Sequence, residues 1–197
     1  MKLKQLFESI PTTKEEVEEI LWKYNIENYT INEDLSVDVN GNVILRAQKL
    51  QAIPVHFGKV SGNFMCQYNQ LVDLRGSPKE VGDIFWCYNN KLTSLQGAPR
   101  EVGGHFWCNR NSLASLKGAP REVEGSFDCS WNILDSLKGA PREVGDMFDC
   151  SHNNLTSLRG GPKEVGGDFD CSRNRLTSLD GIGNVHGIIG SDLNPDE

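Results

Sequence analysis

A β-rich solenoid is the fold class this sequence predicts, and three regularities predict it. Cys66, Cys87, Cys108, Cys129, Cys150 and Cys171 recur every 21 residues. Phe64, Phe85, Phe106, Phe127, Phe148 and Phe169 each stand two residues before a cysteine, and Asn69, Asn90, Asn111, Asn132, Asn153 and Asn174 each stand three after. Two leucines follow each asparagine, beginning with Leu71 and Leu74, so the unit reads F-x-C-x-x-N-x-L-x-x-L-x-G-x-P-[KR]-E-V-x-G-x. Self-similarity at a fixed period of this length marks stacked coils, each burying its apolar stripe only against its neighbours. Stacking also accounts for a hydrophobic content of only 38% in a chain of 197 residues.

Residues 1–42 do not repeat and are read as a cap. Thr12 or Thr13 begins a helix as its N-cap, with Glu15 and Glu16 completing a capping box. Val17, Ile20, Leu21 and Tyr24 then fall on one helical face, and the helix ends near Tyr24. Leu35–Val39 alternates as a strand, and Asn40-Gly41 predicts a two-residue hairpin turn into Val43 and Leu45. Counting back 21 residues from Phe64 and Cys66 reaches Val43 and Leu45, and from Leu71 and Leu74 reaches Leu50 and Ile53. The solenoid therefore runs from 43 to 185, with one degenerate and six full units. Residues 186–197 are a C-terminal cap and tail, with Gly183 standing where earlier units have proline.

Within a unit, Phe and Cys alternate with variable residues, so both face inward from a short strand. The asparagine amide is expected to bond backbone groups of adjacent coils at the bend, and the leucines to fill the core beneath it. Gly and Pro mark the turn to the opposite side, and a valine (Val81, Val102, Val123, Val144, Val165) brings the chain back inward. The cysteines occupy equivalent inward positions, so they are read as a ladder of small buried hydrophobes with free thiols. No C-x-x-C or paired-histidine spacing for zinc occurs.

On these residues the unit resembles the leucine-rich repeat, L-x-x-L-x-L-x-x-N-x-L, with Phe and Cys at the second and third leucines. The resemblance spans about 43 to 185 and is closest to the short, proline-bearing bacterial type. It departs in its period, which is about 20 residues in the bacterial effector repeats, and in its first leucine, which is shifted onto the valine. The Phe-x-Cys variant is similar to repeats in tailed phages and some bacteria. The resemblance implies a horseshoe with a parallel sheet on its concave face and extended or turning backbone on its convex face.

A solenoid offers a surface rather than a pocket, and its binding site is sought where the repeat breaks its own rule. Three columns flank each cysteine. Met65, Trp86, Trp107, Asp128, Asp149 and Asp170 precede it, while Gln67, Tyr88, Asn109, Ser130, Ser151 and Ser172 follow it. Two after it stand Tyr68, Asn89, Arg110, Trp131, His152 and Arg173. Exposed Trp, Tyr and Arg dominate interface hot spots, so Met65, Tyr68, Trp86, Tyr88, Trp107, Arg110, Trp131, His152 and Arg173 are the candidate partner-binding residues. Asp128, Asp149 and Asp170 form an acidic ladder with two readings: a strip for a cationic partner, or repeat background in which Asp and Ser tie strand edges. Self-association through Trp86 and Trp107 is a further reading of the aromatic cluster. On the opposite side, Lys79, Arg100, Arg121, Arg142 and Lys163 neighbour Glu80, Glu101, Glu122, Glu143 and Glu164, which reads as rows of solvated ion pairs.

Other function classes find little support. His56, His105, His152 and His186 lie in different coils, and no nucleophile–base pairing or Gly-rich phosphate loop occurs, so no catalytic residue, metal or cofactor is assigned. A net charge of −7 and the acidic ladder weigh against nucleic-acid binding, leaving DNA mimicry as its remaining form. Met1–Glu8 lacks the apolar run of a signal peptide, and no stretch has the length of a membrane span. The expectation is a cytoplasmic, non-enzymatic protein-binding module. On the phage resemblance it is an inhibitor or decoy of a host protein.

Overall fold

The structure is a computed structural model and describes residues 11–193. The opening segment Met1–Glu8 and the polar tail Asn194–Glu197 lie outside the described residues. Helix α1 spans Lys14–Lys23. Thr13 caps it, its Oγ1 accepting from the Glu16 N–H at 3.3 Å, while the Glu16 carboxylate reaches back to the Thr12 N–H at 2.7 Å. The reciprocal half of the capping box thus closes one residue earlier than the cap. Val17, Ile20 and Leu21 are buried and Tyr24 ends the helix.

The hairpin lies elsewhere than the sequence predicts. β1 (Tyr29–Ile31) pairs antiparallel with β2 (Val37–Val39), Tyr29 opposite Val39 and Ile31 opposite Val37. β3 (Val43–Ile44) does not pair with β2, because Asn40-Gly41 forms the corner between two different sheets. The physical reason is that Val37, Val39, Val43 and Leu45 all face one interior, from opposite walls. A two-residue hairpin would satisfy the turn but take both strands away from the coils that follow. Instead β2 pairs with β4 (Phe57–Val60), and β3 with β5 (Phe64–Met65), both parallel.

From there every coil contributes one strand to each of two sheets. β6 (Glu80–Val81), β8 (Glu101–Val102), β10 (Glu122–Val123), β12 (Glu143–Val144), β14 (Glu164–Val165) and β16 (Asn184–Val185) extend the sheet begun by β1, β2 and β4 to nine strands. β7 (Phe85–Trp86), β9 (Phe106–Trp107), β11 (Phe127–Asp128), β13 (Phe148–Asp149), β15 (Phe169–Asp170) and β17 (Ile189–Gly190) extend the sheet begun by β3 and β5 to eight. The two are called here the Glu–Val sheet and the Phe sheet. The expected extended or turning back of each coil is therefore itself a parallel sheet. Glu and Val alternate outward and inward, and the ladder closes through bonds such as Arg100 N–H to Lys79 O at 2.8 Å. The molecule is a β-solenoid with its core between the two sheets.

In-register pairing lines the core with columns. From Phe64 to Phe169 the phenyl rings follow one another at centroid separations of 5.1 to 5.7 Å. The cysteines, the paired leucines and the valines run beside them, and Cys66 to Cys171 are all buried and free. Each fully buried Phe or Leu contributes about 1.5–3 kcal/mol, whereas an exposed ion pair contributes about 0–1 kcal/mol. The columns, not the charged rows, hold the coils together.

The asparagine column supplies the polar half of the core. Asn111 Nδ2 donates to Cys108 O at 3.0 Å in its own coil and to Cys87 O at 3.1 Å in the preceding one, while its Oδ1 accepts from Leu92 N–H at 3.0 Å. Asn90, Asn132, Asn153 and Asn174 repeat the same bonds. The glycine of G-x-P takes φ near +90° in each coil, and a Cβ on Gly97 would stand 2.7 Å from the Leu74 carbonyl carbon, so this turn excludes a side chain. The last coil is one residue short. Val185 pairs with Val165 at a step of 20 rather than 21, while a Cβ on Gly183 would collide with Pro162 O, so the residue is lost after the position that proline fills in earlier coils.

Two outcomes follow. Asn111→Asp replaces a two-N–H donor by an acceptor facing Cys87 O and Cys108 O, so denaturant unfolding at neutral pH should register a loss of about 2–4 kcal/mol. Burial raises the thiol pKa throughout the column, only to about 11 at Cys171 but well above the ordinary value at Cys87, Cys108, Cys129 and Cys150. A colorimetric disulfide reagent at pH 8 should therefore label native protein slowly, Cys171 first, and all six thiols rapidly once the chain is unfolded.

Candidate binding face

The outer surface of the Phe sheet carries the sequence-predicted residues, and alternation decides which of them face out. With Phe and Cys turned inward, the residue between them points away from the core. That column runs Ile44, Met65, Trp86, Trp107, Asp128, Asp149 and Asp170 in register. Neighbouring members stand about 4.8 Å apart. Trp86 and Trp107 stack with centroids 5.1 Å apart at 18°. Tyr88 lies 6.2 Å from Trp86 and 6.1 Å from Trp107, and Tyr68 packs edge-on to Tyr88 at 5.2 Å. Met65, Tyr68, Trp86, Tyr88 and Trp107 thus form one patch.

Two members of this face are not evident from the candidate columns. Ile44, 54% exposed, continues the apolar column by one rung; counting 21 back from Met65 finds it. His105 lies two residues before Trp107, on the same side of the strand, with ring centroids 6.2 Å apart. Its Nδ1 accepts from the Ser126 N–H at 2.9 Å, which leaves the ring proton of the neutral form on Nε2. Strand alternation is the signal for it.

The column two after the cysteine lies beyond the strand, at the corner that follows it. Tyr68, Asn89, Arg110, Trp131, His152 and Arg173 all have φ between 52° and 57°, the left-handed region. The chain must turn there so that the next residue, the ladder asparagine, can reach back to the cysteine carbonyl. Asn tolerates this conformation, whereas bulky side chains adopt it with strain. The corners nevertheless hold large groups. Arg110 lies over the Trp131 ring at 4.9 Å, and Trp131 packs on His152 with centroids 3.9 Å apart. Arg110, Trp131 and His152 form a second patch beside the first. Arg173 stands apart, its backbone N–H bonded to the Asp192 carboxylate.

The column directly after the cysteine is more enclosed than an outward column would be, with Gln67, Ser130 and Ser151 buried. Ser130 N–H and Oγ–H donate to Asp128 Oδ1 at 2.9 and 2.6 Å, Ser151 N–H to Asp149 at 2.8 Å, and Ser172 N–H to Asp170 at 2.9 Å. Each ladder aspartate therefore bonds the residue two places after it in its own coil. Burial raises the Asp128 carboxyl to about 6 against the lowering by the Ser130 bonds, with Asp149 adding to the rise. Burial likewise raises Asp149.

Among the described residues, five buried side-chain polar atoms have no hydrogen-bond partner: Gln67 Oε1, Ser77 Oγ, Trp86 Nε1, Asn109 Oδ1 and His152 Nδ1. All but Ser77 belong to this face, which makes it the place where the fold leaves polar groups unserved.

The opposite wall has a groove of about 900 Å³ along the Glu–Val sheet, lined by Lys59, Glu80, Arg100, Glu101, Arg121 and Glu122. Its glutamates are in register from Glu80 to Glu164, and ion pairs form at Lys59–Glu80 (2.5 Å), Arg121–Glu122 (3.8 Å) and Arg142–Glu143 (3.6 Å). All are exposed, but of the expected neighbour pairs only Arg121–Glu122 and Arg142–Glu143 form, because Glu80 reaches Lys59 of the preceding coil and Glu164 reaches His186 of the following one. Among the described residues no cluster of three or more His, Cys, Asp or Glu is placed to hold a metal, and no helix is long and apolar enough to cross a membrane. Comparison with protein-family models, curated proteins and solved structures finds no match to this chain.

A raised carboxyl pKa means the folded state binds the proton more tightly, so the Asp128 penalty is absent below about pH 4 and grows as pH rises through about 6. Asp128→Asn should therefore match the parent at pH 4 and exceed it by up to about 3 kcal/mol at pH 7.5, read by chemical denaturation at both values.

Proposed function

We propose that this chain is a non-catalytic binding protein, a short relative of the leucine-rich repeat, that docks a protein partner on the outer face of its Phe sheet. The observation that carries this reading is the conflict in the corner column. The backbone favours Asn or Gly at φ near +55°, yet five of the six corners hold Tyr, Arg, Trp or His. Such residues raise the energy of the folded chain locally, and violations of local rule of this kind gather at functional sites. They border the apolar column Ile44–Met65–Trp86–Trp107, so the anchors of a hot spot and its rim lie on one surface. The unpartnered Trp86 Nε1, Asn109 Oδ1 and His152 Nδ1 add groups whose hydrogen bonds a partner would complete on local repacking.

The resemblance to repeats of tailed phages gives the reading a specific form, in which the partner is a bacterial host protein and the chain acts in the host cytoplasm. A second copy bound through the tryptophans, or a nucleic acid, are the competing occupants that the same experiment resolves.

In affinity capture from bacterial lysate, Trp86→Ala/Trp107→Ala should lose a protein that the parent retains. Trp131→Asn should weaken capture while melting at the parent temperature or above it, since Asn suits the left-handed corner to within about 1 kcal/mol. Loss of capture together with a drop in melting temperature at Trp131→Asn would assign the corner residues to folding instead, and capture unchanged in both variants removes this face as the docking site.

A further inference from the structure

The repeat also breaks its rule away from the Phe sheet, on the wall where each coil crosses to the Glu–Val sheet. In the first full coil that crossing reads Val72-Asp73-Leu74-Arg75-Gly76-Ser77-Pro78. Asp73 stands where the next five coils all have serine, from Ser94 to Ser178, and Ser77 stands where they have Ala98, Ala119, Ala140, Gly161 and Ile182. The degenerate unit before it has Pro54 in the Arg75 column and His56 in the Ser77 column. These departures surround a cavity of about 670 Å³, to which Ile53, Pro54, Val55, Val72, Pro78 and Ala98 give an apolar lining. Small-molecule sites have volumes of about 300–1,000 Å³. Val72 is 53% exposed, so part of that apolar surface is left uncovered.

The polar groups of the cavity are unevenly matched. Arg75, Lys79 and Arg100 line it with a single carboxylate, Asp73, in a chain whose net charge is −7. Asp73 is committed to Arg75, its Oδ2 accepting from Nε at 2.9 Å and lying 2.7 Å from a terminal guanidinium nitrogen. The serines of later coils make only the turn bond that Asp73 keeps, to the Arg75 N–H at 3.0 Å, so the carboxylate adds a grip on the guanidinium. Lys79 and Arg100 form no ion pair among the described residues, although Glu80 and Glu101 directly follow them. Ser77 is buried, and its hydroxyl is the unpartnered buried atom that lies off the Phe-sheet face. The alanine of the next coils would leave nothing unserved there, so serine at this position is unfavourable for the fold alone.

We propose that this cavity binds a small organic anion, an apolar body carrying a carboxylate or phosphate head. The head is the partner that Lys79 and Arg100 lack, and a guanidinium beside an ammonium suits either oxyanion. The body covers Val72 and the wall from Ile53 to Val55, and Ser77 donates to the head on local repacking of that wall. The lining comes from three successive coils. Two rungs of a parallel sheet span about 10 Å, the length of a short alkyl chain or one ring system rather than of a docked helix. The cavity is separate from the tryptophan face, so a bound anion leaves that face open to its own partner.

Titration of the full chain with octanoate and octyl phosphate, followed by calorimetry and amide chemical shifts, tests it. Octanol and inorganic phosphate serve as probes that carry only the body or only the head. At least one alkyl anion should bind about tenfold more tightly than either of these, moving the amides of Ser77, Lys79, Gly97 and Arg100, and the tighter of the two names the head. Lys79→Gln/Arg100→Gln, at exposed positions, should weaken that binding about tenfold. Ser77→Ala should weaken it too while melting at the parent temperature or above, and Trp86→Ala/Trp107→Ala should leave it unchanged. Neither anion bound, octanol bound as tightly as the anions, shifts confined to the Phe sheet, or binding that survives the Lys79/Arg100 or the Ser77 substitution overturns the proposal.

Discussion

The fold depends on one hydrogen-bonding arrangement, the side-chain amide that stitches each coil to the one before it. A coil of 21 residues with two-residue strands leaves most of its backbone outside regular ladders, and at the bend below each strand those groups are buried. Without a partner, each would cost on the order of 1–3 kcal/mol. The asparagine answers on both sides at once, giving N–H groups to two cysteine carbonyls and taking one from a leucine amide. Its reach fixes the vertical separation of coils, and with it the in-register stacking of Phe, Cys, Leu and Val. Apolar burial supplies the driving force, but the amide sets the register in which that burial happens.

The same requirement shapes the surface. To bring the amide back to the cysteine carbonyl, the residue before it must turn left-handed, and the corner column results. What decorates those corners is free of the core, so variation accumulates there and on the outward strand column while the inward positions stay constant. Aromatic and cationic groups gather over the first coils, and Asp-Cys-Ser units follow. The acidic units bond their aspartates to their own Ser N–H groups, whereas three of the four unpartnered polar atoms of this face, on Gln67, Trp86 and Asn109, lie in the aromatic units and the fourth is on His152.

Much of this was readable from the residues. The period, the inward identity of Phe, Cys, Leu and Val and the bridging role of the asparagine follow from local chemistry that repeats, and the helix with a threonine cap, at Thr12 or Thr13, follows from its capping box. What was not readable has a common cause, the influence of neighbouring coils. Asn40-Gly41 is a strong hairpin signal, yet adjacent coils compete for Val37–Val39 and Val43–Ile44 and win. Lys/Arg-Glu-Val is too short to announce a strand by itself and becomes one only because identical segments lie beside it. The left-handed corners were hidden because Tyr, Trp, His and Arg mask a conformation that Asn89 alone betrays. Ile44 and His105 were missed at the binding face, although the period and strand alternation respectively point to them.

The unequal ends give the molecule a polarity in time as well as in space. With interactions confined to adjacent coils, rupture proceeds stepwise, and the shortened last coil, whose Leu176, Leu179 and Val185 are only partly buried, is less enclosed than the coils before it. Among the described residues unravelling therefore starts at β16 and β17 and travels toward α1, so a protease or a pulling force would remove coils in reverse sequence order, sparing the tryptophan-bearing units until late.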